Sequence, residues 1–309
     1  MSAVAADPGA TISNQKKLLK LARKRLERFV TLVPKVLVND DPEAIHDLRV
    51  WSRRLQQALR VMLPTPKPPK SKKAIRALRQ VRQALGPCRN LDVNIALIKE
   101  KRKHSGAGIV QRSWEAVQTE LEERRVALIG RARRDLTKYD VFAFIGRTTP
   151  LIENADDGID PVEILDRAAA KAMNGWEEAF TLAYEQRDET HLHAFRIASK
   201  RLRYRAELLA DLGQNQAKPL LTALKELQTV LGDWHDRCVL LQHVAEFIGQ
   251  PNFLASHPDM GRALLAEIEK DKLRNEDTID HLPQIAAKVR EGWGNWKPVT
   301  DEIKGNSAS

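Results

Sequence analysis

The sequence predicts an all-α protein, and three observations predict it. Apolar residues recur at three- and four-residue spacing through nearly every long segment, which is the period of a helix with one buried face. Fifteen Gly and fifteen Pro in 309 residues are too few to turn a chain of many short strands. No segment alternates apolar and polar residues in the manner of a half-buried strand.

The first helix is expected over residues 15–38, with Leu18, Leu19, Ala22, Leu26, Phe29, Val30 and Val33 on its apolar face. The second, over 42–63, buries Ile45, Leu48, Leu55, Leu59 and Met62 and starts at Asp41-Pro42. There a capping carboxylate precedes a proline suited to the first turn. Further helices follow near 72–85, 91–103, 109–136, 162–187, 190–211, 217–231, 238–248 and 259–275, and Asp160-Pro161 repeats the start signal. Breaks fall at Pro64–Lys73, Lys103–Gly108 and Gly146–Asp160. The expected organisation is a flexible N-terminus (1–14), a helical bundle (15–145), a linker (146–160), a second bundle (161–296) and a flexible tail (297–309).

Composition narrows the class. No run of eighteen apolar residues occurs, so no membrane span and no membrane partner are expected. The start MSAVAADPGATISNQKK lacks a basic segment followed by an apolar one and is not read as a secretory signal. Two cysteines, Cys88 and Cys238, exclude a disulfide scaffold and a four-thiolate zinc site; they read as ordinary buried thiols in a reducing cytoplasm. Charge is more informative. Residues 1–150 carry 32 basic and 14 acidic side chains, and residues 151–309 carry 19 and 27. A basic half joined to a mildly acidic one attracts polyanions such as nucleic acid, acidic lipid or phosphate polymers.

The halves are related. IHDLRVWSRRLQQAL from Ile45 aligns without gaps to LHAFRIASKRLRYRA from Leu192, an offset of 147. His46 meets His193, Arg49 meets Arg196, Ser52 meets Ser199, Arg53 meets Lys200 and Arg54 meets Arg201. A second block agrees at an offset of 146: Ile75, Leu78, Arg79 and Leu85-Gly86 meet Leu221, Leu224, Lys225 and Leu231-Gly232. Lys20 and Lys24 fall against Arg167 and Lys171. This order predicts a duplicated helical bundle.

On a helical projection Arg49, Arg53 and Arg60 lie within about 60° of His46, a basic stripe roughly 21 Å long beside the buried one. The second copy repeats it with His193, Arg196, Lys200 and Tyr204, with Arg203 beside them. Lys17, Lys20, Lys24 and Arg28 align on the first helix, and Lys72, Arg76, Arg79 and Gln83 on the third. Like charges at these spacings oppose helix formation by a few tenths of a kcal/mol per pair. Almost no carboxylates intersperse them, so an anionic ligand is the simpler source of the missing counter-charge. With aromatics at 5% of the chain, and only Tyr204 and Trp51 near a stripe, base-stacking platforms are scarce. A phosphate backbone, or sequence-blind nucleic-acid binding, fits better than base readout.

Signals for chemistry are few. No Gly-rich phosphate loop, Ser-His-Asp arrangement or zinc spacing appears, and neither a metal nor another cofactor is expected. His46 and His193 sit among cations that would repel a metal; each imidazole either donates to phosphate or binds a carboxylate. A histidine-dependent phosphatase or phosphotransferase is the catalytic alternative, and no catalytic residue is assigned. His191 and His193, two apart on a helix, face different ways. Asp92 and Asp236, just beyond the repeated Leu-Gly, are expected to cap helices or pair with the basic stripes.

The segments HDLRVWSRRL and HAFRIASKRLRY, followed by LG with RNLDV and by LGDWHDRCV, resemble the CHAD (conserved histidine α-helical domain) family over about residues 15–295. Asn90 stands where the family usually has Asp, and the second half has Cys238 where the first has Asp92. The resemblance implies two antiparallel helical bundles related by a pseudo-twofold, with basic helices lining a central cleft or pore. It also implies binding of long-chain inorganic polyphosphate and localisation to polyphosphate granules. The expected protein is a stand-alone, non-enzymatic binder; a scaffold that docks granule-associated proteins on its basic face is a further alternative. The family's basic positions fall on His46, Arg49, Arg53, Arg54, His193, Arg196, Lys200 and Arg201. Helix geometry adds Lys20, Lys24, Arg60, Lys72, Arg76, Arg79, Arg167, Lys171, Arg203 and Lys225. Arg54 and Arg201 lie off the stripe's centre and are read either as ligand contacts or as ion-pair partners between helices.

Overall fold

A computed structural model describes residues 8–63, 69–155, 158 and 160–296. Among these the elements are helical: α1 (Pro8–Val38), α2 (Pro42–Met62), α3 (Pro69–His104), α4 (Ile109–Thr137), α5 (Val141–Glu153), α6 (Pro161–Gln186), α7 (Glu189–Asp211), α8 (Lys218–Ile248), α9 (Phe253–Ser256) and α10 (Pro258–Gly294). Their starts are chemically specified. Asp41 and Asp160 accept hydrogen bonds from the backbone N–H groups of Glu43 and Val162, both at 2.9 Å, with proline following each cap. Asp140 and Asp188 cap α5 and α7 in the same way, through the N–H of Ala143 at 2.8 Å and of His191 at 2.9 Å.

The chain forms two compact units. Of the described residues, the first contains those within 8–82, 137–228 and 283–296, and the second 83–136 and 229–282. Packing thus divides the chain differently from sequence repetition, since each unit takes segments from both halves. Arg82/Gln83 and Gln228/Thr229 fall inside α3 and α8, so these long helices contribute to both units.

In the first unit α1 packs on α2 and α6 on α7, with α2 meeting α7. The apolar faces read from spacing are buried: Ile45, Leu48, Leu55 and Leu59 on α2 are fully enclosed, as are Phe195 and Leu202 on α7. Trp176 on α6 is enclosed too; its indole Nε1 donates to Ser199 Oγ at 2.9 Å, which satisfies both groups. The second unit is built around Ile98, Trp114, Val117, Leu121, Leu240, Val244 and Leu264. A buried ion pair joins Arg125 of α4 to Asp92 of α3.

Several expectations are corrected. Helix α1 starts at Pro8, not at residue 15; Asn14 is buried and donates to the Asp160 carboxylate at 3.2 Å, which ties this turn down. The expected linker 146–160 is helical to Glu153, because Phe144, Thr148 and Ile152 form a buried stripe and the Phe144 ring lies 5.4 Å from that of Phe29. Segments 72–85 and 91–103 join into one helix through Gly86-Pro87, as do 217–231 and 238–248, and the last helix runs on to Gly294. Asp92 and Asp236 therefore sit in mid-helix and cap nothing. Cys88 is buried, while Cys238 is only half-buried and accepts a contact from Asn275 Nδ2 at 3.4 Å. Residues 64–68 of the expected Pro-Lys break, residues 1–7 and the expected tail 297–309 lie outside the described residues; Pro69–Lys73 opens α3. No described helix is long and apolar enough to cross a membrane.

Candidate anion-binding site

The basic stripes of α2 and α7 belong to the first unit, and the contact between these helices organises them. Arg53 of α2 donates to Tyr204 Oη of α7 at 2.6 Å, and its guanidinium carbon lies 5.3 Å from the ring centroid. Arg203 stands 4.6 Å from the same centroid. Tyr204 thus joins two cations through its ring and one through its hydroxyl.

Beside it runs an ion-pair network. Glu207, 8% exposed, receives Arg54 at 2.7 Å and Arg203 at 3.2 Å. Asp211 receives the buried Arg25 at 2.6 Å, and Arg25 also donates to the Arg54 carbonyl at 2.9 Å. Burial holds Arg25 below the usual arginine range against the pull of Asp211 and Glu207. It also raises the Asp211 carboxyl against the pull of Arg25. Arg54 and Arg203 are thereby partnered to protein carboxylates, and Arg54 lies 5.0 Å from the Trp51 ring centroid.

A second group has cations for neighbours. Arg82, half-buried on α3, donates to Ser52 Oγ at 3.4 Å and to Gln56 Oε1, and its carbonyl accepts from Arg49 at 2.7 Å. Its ionisation is pushed down to about 10, first by burial and then by Arg53, Arg49 and Arg60. Arg60 is held below its usual range by burial and then by Arg201 and Arg79. Arg205 is lowered by burial and then by Arg201 and Arg60, and it donates to the Arg201 carbonyl at 2.6 Å. Seven arginines on α2, α3 and α7 thus gather, and three of them, Arg60, Arg82 and Arg205, are held below their usual range first by burial and then by the charge of the others. Such a cluster stabilises an anion with several oxygens, because guanidinium forks match phosphate geometry and remain charged at any physiological pH.

Of the residues named from sequence, Arg49, Arg53, Arg60, Arg79 and Arg201 enter this cluster. Arg82 and Arg205 were missed; Arg82 lies off the Lys72-Arg76-Arg79 stripe, and Arg205 off the His193-Lys200 stripe. His46, Arg196 and Lys200 are half-buried, and His193 is exposed on α7. Lys20 and Lys24 are exposed on α1, Lys72 and Arg76 on α3, and Lys225 on α8. Lys171 is exposed on α6, where Arg167 pairs with Glu163 at 2.9 Å. Asp92 holds Arg125, and Asp236 Oδ1 lies 3.2 Å from Nδ1 of its neighbour His235.

Comparisons with known proteins agree on the fold. The chain matches the CHAD domain over residues 20–245. It is similar to the crystal structure of the CHAD domain from the plant Ricinus communis, at a TM-score of 0.62 and 19% identity over 92% of each chain. It is also similar to PptA from Streptomyces chartreusis, at a TM-score of 0.60 and 16% identity over 91% of this chain and 99% of that one. No curated protein sequence matches it. With the family match covering most of its length, the chain belongs to the CHAD domain family.

Proposed function

We propose that this protein binds inorganic polyphosphate without catalysing its turnover, and that binding gathers the protein on polyphosphate granules in the cytoplasm. The observation that carries this reading is the cluster of Arg49, Arg53, Arg60, Arg79, Arg82, Arg201 and Arg205, in which Arg49 donates to the Arg82 carbonyl, Arg82 to Ser52 and Gln56, and Arg205 to the Arg201 carbonyl, and in which neighbouring arginines disfavour the charges of Arg60, Arg82 and Arg205. A polymer with a charge on every phosphate relieves that repulsion at several points at once, and each contact releases counterions. Arg196, Lys200, Lys225 and the histidines His46 and His193 extend the surface along the chain. Family membership supports the same ligand. The Tyr204 ring set among these cations is already engaged by Arg53 and Arg203, which leaves it little use for stacking bases.

The test is the affinity for long-chain polyphosphate against DNA of matched charge, titrated across salt. Tight, polyphosphate-selective binding with a steep salt slope supports the reading. Equal binding to both polymers reduces the site to a general basic surface and favours a nucleic-acid binder. Phosphate release that depends on His46 or His193 replaces the reading with a histidine phosphatase or phosphotransferase.

A further inference from the structure

The two copies of the repeat differ in charge where the arginines gather. On the α2–α7 contact Arg54 reaches Glu207 at 2.7 Å. Moving each residue to its counterpart, 147 positions away, gives Arg201 and Arg60. These two also act on each other, but as like charges. One version of the contact is an ion pair and the other is a repulsion.

The α3 and α8 positions differ in the same sense. Arg82 donates to Ser52 Oγ at 3.4 Å, and Gln228, its counterpart at an offset of 146, donates to the Ser199 carbonyl at 3.2 Å. Both side chains enter equivalent places, but only Arg82 brings a charge. Arg205 has Ala58 as its counterpart, while Arg79 keeps a cation in Lys225. At three of these four positions the cation is present on one side alone, and at one of the three a carboxylate replaces it.

We infer that the site has a strong end and a weak end, and that the strong end, formed by Arg60, Arg82, Arg201 and Arg205, seats the terminal phosphoryl group of a polyphosphate chain. The inference rests on the polyphosphate reading above. An internal phosphate of the polymer carries one charge and two unshared oxygens. A terminal phosphoryl group has three unshared oxygens and, like other phosphate monoesters, a second ionisation near neutral pH. It is the densest anion on the ligand, and it suits four arginines drawn from three helices, with Arg82 of α3 set on Ser52 and Gln56 of α2 and Arg205 of α7 set on the Arg201 carbonyl. The weak end, where Glu207 occupies Arg54 and Arg203, suits the singly charged middle of the chain.

The experiment uses the full protein and polyphosphate of one fixed length in two forms, with free ends and with both terminal phosphates capped as phosphoramidates to remove the second charge. Calorimetry is run at two salt concentrations. The free-ended form is expected to bind about tenfold more tightly or better. In the double variant R82Q/R205A, which carries the weak end's residues, that preference should shrink below about threefold while binding of the chain persists. Equal affinity of the wild-type protein for both forms overturns the end-binding inference and leaves the polyphosphate reading standing. Failure to bind either form overturns both. The wild-type comparison decides the matter without relying on the variant's folding.

Discussion

Replacing Arg82 by glutamine should make the ligand-free protein more stable and a poorer binder. Burial and three arginines lower the Arg82 ionisation from the usual arginine range to about 10. At about 1.4 kcal/mol per unit, holding the charge in the folded state costs on the order of 3 kcal/mol. Arg82 returns part of that through side-chain hydrogen bonds to Ser52 and Gln56, each worth about 1 kcal/mol net. A glutamine keeps one of them, as Gln228 does at the corresponding place. The expected net gain is about 1–2 kcal/mol, a rise of roughly 2–6 °C in Tm. The sign with pH follows from the lowered value. The folded protein gives up this proton before the unfolded chain does, so the cost is fully present below about 10 and fades as pH rises from there toward the usual arginine value. The gain should therefore be the same at neutral and mildly acidic pH. With polyphosphate present the order reverses: affinity falls about tenfold, and the slope of log affinity against log salt drops by about 0.7–0.9 for the lost contact. Thermal unfolding with and without polyphosphate, together with a salt titration, measures all of this. A variant less stable than wild type without ligand, or one whose salt slope is unchanged, refutes the reasoning.

Glu207→Gln should act in the opposite sense: it strands Arg54 and Arg203, lowers ligand-free stability by about 2–3 kcal/mol in thermal unfolding, and tightens polyphosphate binding several-fold. The figure sits at or below the low end for buried pairs because the Arg54 side chain is 34% exposed. Reversing Arg49, Arg53, Arg196 and Lys200 to Glu should abolish polyphosphate binding while the far-ultraviolet circular dichroism stays helical; retained affinity would displace the site from α2 and α7. Asp92→Asn is the control in the second unit. It breaks the buried pair with Arg125 and should cost about 3–5 kcal/mol of stability, with the polyphosphate salt slope unchanged. The wild-type protein, His46→Ala and His193→Ala should all leave phosphate release at the buffer background in a polyphosphate incubation; release by wild type that either variant loses would make the protein a histidine-dependent enzyme.

Much of the fold could be read from spacing. The buried faces of α2 and α7 were legible because Ile45, Leu48, Leu55 and Leu59, like Phe195 and Leu202, recur at the helical period. The starts at Asp41-Pro42 and Asp160-Pro161 were legible because a capping carboxylate followed by proline has a local mechanism. Helix α5 was not, because Pro150 and the acidic stretch beyond it resemble a loop, and the Phe144–Thr148–Ile152 stripe is only three residues long. Nor was the continuity of α3 through Gly86-Pro87, since both residues ordinarily end a helix.

The site divides along the same line. The sequence by itself determined that rows of Arg and Lys lie along α2 and α7 beside their buried faces, because the position of a side chain around a helix depends only on its number along the chain. Tertiary structure alone decided which cations meet carboxylates and which meet other cations. Arg54 and Glu207 are 153 residues apart, and nothing in either helix's period says that they touch while Arg201 and Arg60 repel. Arg82 and Arg205 were overlooked for this reason: each lies off its own helix's stripe and joins the cluster only through the packing of separate helices. Long-range Coulomb contacts depend on the register between elements, which hydrophobic burial fixes only when the core closes.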